Sequence, residues 1–124
     1  MSIPVALAAL AERIEEYGNV AYLVTVGDNA LPHVVSVRVA WDGDRLVVGA
    51  GRRTGANVEE RPDVTLLWPA RPGTGYSLIV DGGATVTERD GEAALAIGPT
   101  AAVLHRTPEG DASQPSCVTV LAAS

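Results

Sequence analysis

The chain has 124 residues, 47% of them hydrophobic, so we expect one folded domain spanning residues 1–124 around a single core. Its formal net charge is −6, and all nine basic residues are arginines, which argues against a nucleic acid or an anionic membrane surface as partner. The single cysteine, Cys117, excludes an internal disulfide; it lies in an apolar run and is expected to be a buried hydrophobe.

The N-terminal segment has the periodicity of one amphipathic helix. Ser2 is a suitable N-cap and Pro4 a suitable first-turn residue, and apolar side chains then recur at spacings of three and four up to Tyr17. Gly18 is expected to end this helix. No positive charge precedes the segment, as it would in a signal peptide, and no apolar run reaches the roughly 18 residues of a membrane span. We therefore expect a cytoplasmic protein.

From Val20 the pattern changes to the two-residue alternation of β-strands. Asp42-Gly43 predicts a tight hairpin between two of these strands. A short helix over 57–60 is predicted next, with Asn57 as its N-cap. The strands predicted in this half are 20–26, 32–40, 46–50 and 64–68.

The second half begins with a long predicted strand in which Gly82-Gly83 indicates a bulge or the bend of a barrel corner. A short helix is predicted over 100–105. The strands predicted in this half are 76–87, 92–97 and 116–122. Because barrel closure removes exposed edges, the pattern favours a mainly β fold, a six- to seven-stranded antiparallel barrel with an N-terminal helix and one or two short helices.

The usual motifs of side-chain catalysis are missing from the sequence. His33 and His105 have no carboxylate pattern beside them, so no metal site is predicted. Arg52 and Arg53, however, lie together in a glycine-rich bend of an acidic chain. Their guanidinium groups, the Thr54 hydroxyl and free N–H groups at a helix start would suit a phosphate; the alternative is a solvated turn.

Several segments, in this order and spacing, resemble one known family. They are Tyr22–Val26 with Leu31–Val37, Trp41–Val48, Asn57–Leu66, Asp81–Val86 and Ala102–Arg106. The family is that of the pyridoxamine 5′-phosphate oxidase-like, FMN-binding split β-barrels, which also includes deazaflavin-dependent reductases. Many of its members carry a lysine where this chain has Thr54, so an arginine would have to replace that phosphate anchor.

The resemblance implies a homodimer with two cofactor sites at its interface. The ring system would lie beside the strand at Ser36, and the phosphate near Arg52. Independently, alternation places Ser36 and Arg38 on the strand face opposite Val35 and Val37. A surface salt bridge for Arg38, and core packing for Trp68, are the alternatives. The residues expected to bind the cofactor are Val35, Ser36, Val37, Arg38, Gly51, Arg52, Arg53, Thr54, Asn57 and Trp68.

The resulting functional hypothesis is an oxidoreductase that acts on an unknown small molecule with FMN or, alternatively, the deazaflavin coenzyme F-420. In such an enzyme the cofactor carries the hydride and the protein orients it, which agrees with the missing acid–base motifs. Two alternatives stay open. One is a dimer that binds a flavin, a deazaflavin or a haem without turnover, with His33 or His105 as haem ligand. The other is a cofactor-free member of the family.

Overall fold

The computed structural model describes residues 2–72 and 75–108 of the chain. The described strands are β1 (Ser2–Pro4), β2 (Val20–Val26), β3 (Pro32–Asp42), β4 (Arg45–Gly49), β5 (Asp63–Trp68), β6 (Ser77–Arg89) and β7 (Glu92–His105). The α-helices are α1 (Leu10–Tyr17), which follows a 3-10 turn at Leu7–Ala9, and α2 (Arg52–Glu60). A second 3-10 turn, Asp28–Ala30, joins β2 to β3.

Six of these strands close into an antiparallel barrel, which confirms the predicted fold class. Around the ring the order is β2, β3, β4, β7, β6, β5 and again β2. Strands β2, β3 and β4 form one meander of consecutive strands, and β5, β6 and β7 form another. The two meanders meet at two seams, β2 with β5 and β4 with β7.

The inward-facing apolar side chains of the predicted alternation fill the barrel. Leu23, Val37 and Leu66 point inward and are buried, whereas their neighbours along each strand face outward. Helix α1 covers the core with Leu10 and Ile14, which are also buried. It ends, as predicted, at Gly18, whose φ of 91° favours glycine.

Two helix predictions at the chain's outer segments are wrong. Ser2–Pro4 is a strand and not the first turn of a helix, because it pairs with β7 from Ser2 opposite His105 to Pro4 opposite Val103. Residues 100–105 are part of β7 rather than a helix, since β6 pairs with them on the other side. Long-range pairing on both edges has overridden the local pattern. The predicted strand over 116–122 and Cys117 lie outside the described residues.

The third correction concerns the second helix. It begins at Arg52 with Gly51 as its N-cap, so Asn57 lies inside the helix and does not cap it. The Asn57 side chain instead donates a hydrogen bond to the Thr25 hydroxyl across the barrel end. Arg52 and Arg53 therefore belong to the first helical turn and not to a loop.

The glycine pair in β6 lies at an irregularity of the strand, which agrees with the bulge that was predicted as one of two alternatives. The register with β7 shifts between Asp81 and Gly82. A Cβ added at Gly82 would lie 2.6 Å from the Gly98 carbonyl oxygen and 2.9 Å from an Ile97 methyl carbon, whereas one at Gly83 would meet nothing within 4 Å. The two strand backbones can approach this closely only because residue 82 has no side chain.

Candidate functional site

An open groove of about 470 Å³ runs over the outer face of the barrel at the seam between β4 and β7. This volume lies within the range of small-ligand sites, roughly 300–1,000 Å³. The first meander contributes Arg38, Ala40, Val47, Val48 and Gly49, and the second contributes Arg89, Asp90, Glu92, Ala93 and Ala94. We call this feature the seam groove.

Strand alternation explains which β3 side chains reach the seam groove. Arg38 and Ala40 are exposed and face it, while Val37 and Val39 between and beside them are buried in the core. On β4, Gly49 leaves one end open, because a Cβ there would meet nothing within 4 Å. On the β3 and β4 side the lining is therefore small and apolar apart from Arg38.

The charged groups of the seam groove come from two directions. Arg38 projects from β3, and Arg89, Asp90 and Glu92 come from the β6–β7 hairpin. Within the part of the chain that the structure describes, neither arginine forms an ion pair. Both guanidinium groups therefore keep their hydrogen-bond donors available for an anion.

Helix α2 starts just beyond the Gly49 end of the seam groove. Gly51 is its N-cap and provides no side-chain cap, and the first turn holds no acidic residue. Arg52 and Arg53 occupy that turn and are exposed. The partial positive charge of a helix N-terminus and two guanidinium groups together favour an anion such as a phosphate.

The structure separates the predicted site residues into an outward and an inward group. Ser36 and Arg38 face outward on β3, and Gly51, Arg52 and Arg53 are exposed at the start of α2. Val35 is half-buried and packs against the core, and the other four are buried: Val37, Thr54, Asn57 and Trp68. For both groups, participation in cofactor binding stays a prediction.

Two of the inward side chains already have hydrogen-bond partners. Asn57 Nδ2 lies 3.0 Å from Thr25 Oγ1, and Trp68 Nε1 donates to the Gly18 carbonyl oxygen at 2.9 Å. Trp68 is 1% exposed, so the structure shows the core packing that the sequence left as an alternative. Arg89, in contrast, was not singled out from the sequence, since nothing local indicates that the β6–β7 hairpin folds beside β4.

A patch of exposed apolar side chains adjoins the seam groove on β2 and β3. It consists of Val20, Tyr22 and Val34, which are 48%, 44% and 56% exposed. Tyr22 pairs with Ser36 and Val20 with Arg38, so the patch continues directly into the groove. We call it the outer apolar patch.

The two histidines do not lie together. His33 Nδ1 is buried and has no hydrogen-bond partner, and His105 Nδ1 lies 3.0 Å from the Ser2 hydroxyl. Among the described residues no group of three histidine, cysteine or carboxylate side chains could hold a metal ion. No helix in those residues is both long enough and apolar enough to pass through a membrane.

No established protein-family profile matches the chain. Two curated mycobacterial proteins, both uncharacterised, are similar to it. The protein of Mycobacterium bovis and that of Mycobacterium tuberculosis are each 37% identical over 127 aligned residues, covering 90% of this chain and 89% of theirs.

Solved structures share the fold at low sequence identity. A Clostridium acetobutylicum protein of the pyridoxine-phosphate oxidase family has a TM-score of 0.65 at 14% identity, covering 82% of this chain and 91% of its own. A FAD-binding protein of Mesorhizobium loti has a TM-score of 0.62 at 14% identity, with coverages of 86% and 98%. An F-420 reductase has a TM-score of 0.59 at 20% identity, with coverages of 73% and 94%.

Proposed function

This chain belongs to one family with the two mycobacterial proteins and has the split-barrel fold of the pyridoxamine 5′-phosphate oxidase-like proteins, and on that basis we propose that it binds a flavin-type cofactor in the seam groove. The observation that carries the proposal is that Gly49 lines the groove two residues before Gly51, the N-cap of the helix whose first turn holds the exposed Arg52 and Arg53. FMN has the matching shape, a flat ring system joined by a chain to a phosphate.

The charges support one orientation of the cofactor. Arg52 and Arg53 would hold the phosphate at the N-terminus of α2, where a charge-assisted hydrogen bond is worth about 1.5–3 kcal/mol. The ring would lie along β3 and β4, over Ala40 and Val47, within reach of the Arg38 guanidinium. This orientation gives the phosphate an anchor even though Thr54 is buried and carries no charge.

We propose further that two copies of the chain cover the rings by pairing through the outer apolar patch. Isolated exposed apolar residues are ordinary, but these lie on neighbouring strands and adjoin the seam groove. A homodimer formed there would place each cofactor at the subunit boundary and shield one ring face from water. The activity would be an oxidoreduction in which the cofactor carries the hydride.

The test begins with the visible absorption spectrum of the freshly purified protein. A flavin or deazaflavin band that persists through gel filtration supports the proposal and identifies the cofactor. If the protein is colourless, titration with FMN and then with coenzyme F-420, followed by fluorescence, replaces the first measurement. A haem band, or no binding of either compound, overturns the proposal and favours one of the alternatives.

The Arg38→Ala variant tests whether the cofactor binds in the seam groove. We expect it to weaken binding about tenfold or more, because it removes a guanidinium group that has no other partner among the described residues. Arg45→Ala is the matched control, since Arg45 is exposed at the far end of β4 and does not line the groove. Equal affinities of the two variants would place the ligand elsewhere.

A further inference from the structure

A second concave region lies at the end of the barrel under helix α1, away from the seam groove. It consists of two cavities, of about 410 and 340 Å³. Trp41 lines both of them. On β3, Trp41 and Val39 belong to the face opposite Arg38 and Ala40, so a ligand in these cavities would not compete with one in the groove.

The position of Trp41 explains why it is accessible. It has the inward phase of β3, but it lies near the strand end, beyond the buried Val39, and is 37% exposed. The other tryptophan, Trp68, is 1% exposed and fills the core. The Trp68 indole therefore packs in the core, while the Trp41 indole is accessible to a ligand at the end of the barrel.

The walls around Trp41 are mostly apolar, and one backbone hydrogen bond ties two of the lining residues together. Ala11 and Ile14 of α1 line the larger cavity, and Leu7 and Leu10 line the smaller one. The Asn19 carbonyl, in the lining of the larger cavity, accepts a 2.8 Å hydrogen bond from the Val39 N–H. This bond fixes the backbone of β3 at one edge of the larger cavity.

Among the described residues that line the cavities, the charged ones are all acidic. Glu15 belongs to the larger cavity and Asp44 to the smaller, and each shares its cavity with Trp41. Neither carboxylate forms an ion pair with another described residue. An indole face attracts a cation through its quadrupole, and two flanking carboxylates add to that attraction.

We propose that the cavities around Trp41 form a binding site for an organic cation with an apolar body, such as a substituted ammonium compound. The apolar walls take the hydrocarbon part, the indole takes the cationic head, and Glu15 and Asp44 make the local field negative. An anion of the same size would be repelled by both carboxylates. The inference is independent of the proposed cofactor.

The probe for this site is benzyltrimethylammonium, compared with neutral benzyl alcohol and anionic benzenesulfonate at constant ionic strength. Binding is followed by NMR as shifts of the Trp41 indole N–H and of the Gly18 and Asn19 amides, with the Trp68 indole as internal reference. We expect the cation to shift these signals in a saturable way. Its dissociation constant should be at least tenfold lower than that of either other compound. Equal binding of all three, or no shift with the cation, overturns the proposal.

Variants distinguish the contribution of the two carboxylates to binding from that of the cavity walls. Glu15→Gln combined with Asp44→Asn should weaken binding of the cation at least fivefold, because both side chains keep their size but lose their charge. Trp41→Leu should weaken binding of the cation to a similar extent, and the shifts of the Gly18 and Asn19 amides can still be used to measure it. Glu12→Gln is the matched control: it is an exposed glutamate on the same helix that lines neither cavity, and it should bind like the parent. A charge-neutral double variant that binds as tightly as that control contradicts the proposal.

Discussion

The side-chain amide of Asn57 donates a 3.0 Å hydrogen bond to the Thr25 hydroxyl, and both residues are buried. This bond joins α2 to β2 at one end of the barrel. Gly27 lies against the same amide, since a Cβ there would be 3.1 Å from Asn57 Oδ1. Together with the buried Val58, this contact holds α2, and with it Arg52 and Arg53, against the barrel.

Asn57→Ala is therefore expected to lower the free energy of unfolding by about 1–3 kcal/mol, because it leaves the buried Thr25 hydroxyl without this donor. Glu59→Ala is the control, since Glu59 is exposed on the same helix and should change stability by no more than about 0.5 kcal/mol. Urea denaturation at constant m-value measures both. Equal midpoints would show that the hydrogen bond adds nothing net to stability.

Gly82→Ala and Gly83→Ala form a matched pair of adjacent substitutions. At Gly82 the new methyl group would meet the Gly98 carbonyl oxygen at 2.6 Å, so the strands must move apart, at a cost of about 1–3 kcal/mol. At Gly83 there is open space, and the change should be neutral or slightly stabilising. Thermal or urea unfolding compares them, and similar stabilities would contradict the close approach of β6 and β7.

The double variant Arg52→Ala with Arg53→Ala tests the phosphate end of the proposed cofactor site. Loss of two charge-assisted hydrogen bonds should weaken FMN or coenzyme F-420 binding by about 3 kcal/mol or more, which is a hundredfold or more. Riboflavin, which lacks the phosphate, should bind the parent and the variant alike. A variant that loses riboflavin and FMN binding in the same proportion would instead indicate damage to the ring site.

Val34→Asp tests the homodimer. Val34 is 56% exposed, so the carboxylate would be hydrated in a folded monomer but buried without a partner at a dimer interface. We expect a folded monomer, with dimerisation at least a hundredfold weaker by analytical ultracentrifugation. Thr85→Asp places the same charge on an exposed β6 position away from the outer apolar patch and should leave the assembly unchanged. A dimeric Val34→Asp protein would move the interface to another face.

The sequence was most informative where a residue and its neighbours along the chain determine the local structure. Alternation correctly placed Ser36 and Arg38 outside and Val37 inside, and the Gly82-Gly83 pair correctly marked the irregularity in β6. Each of these features follows from strand geometry alone. The barrel itself followed from the number of short strands and their turns.

The predictions were wrong where a contact with a residue distant in the sequence determines the local structure. Ser2–Pro4 becomes a strand only because β7 offers an edge a hundred positions away, with Ser2 opposite His105 at a separation of 103 residues. Asn57 has the features of a helix cap, yet its side chain bonds to Thr25 in β2. For the same reason Arg89 could not be assigned to the groove, since only barrel closure brings it beside β4.

The division of the barrel into two meanders has a consequence for folding kinetics. Pairings within each meander join consecutive strands, but the two seams join residues more than 40 positions apart, such as Leu23 with Leu66 and Leu46 with Ile97. Closing these long loops is the slow entropic step, so the seams are expected to form late. Because the groove exists only across a finished seam, an occupant would hold the molecule shut and slow its opening, while leaving the rate of assembly almost unchanged.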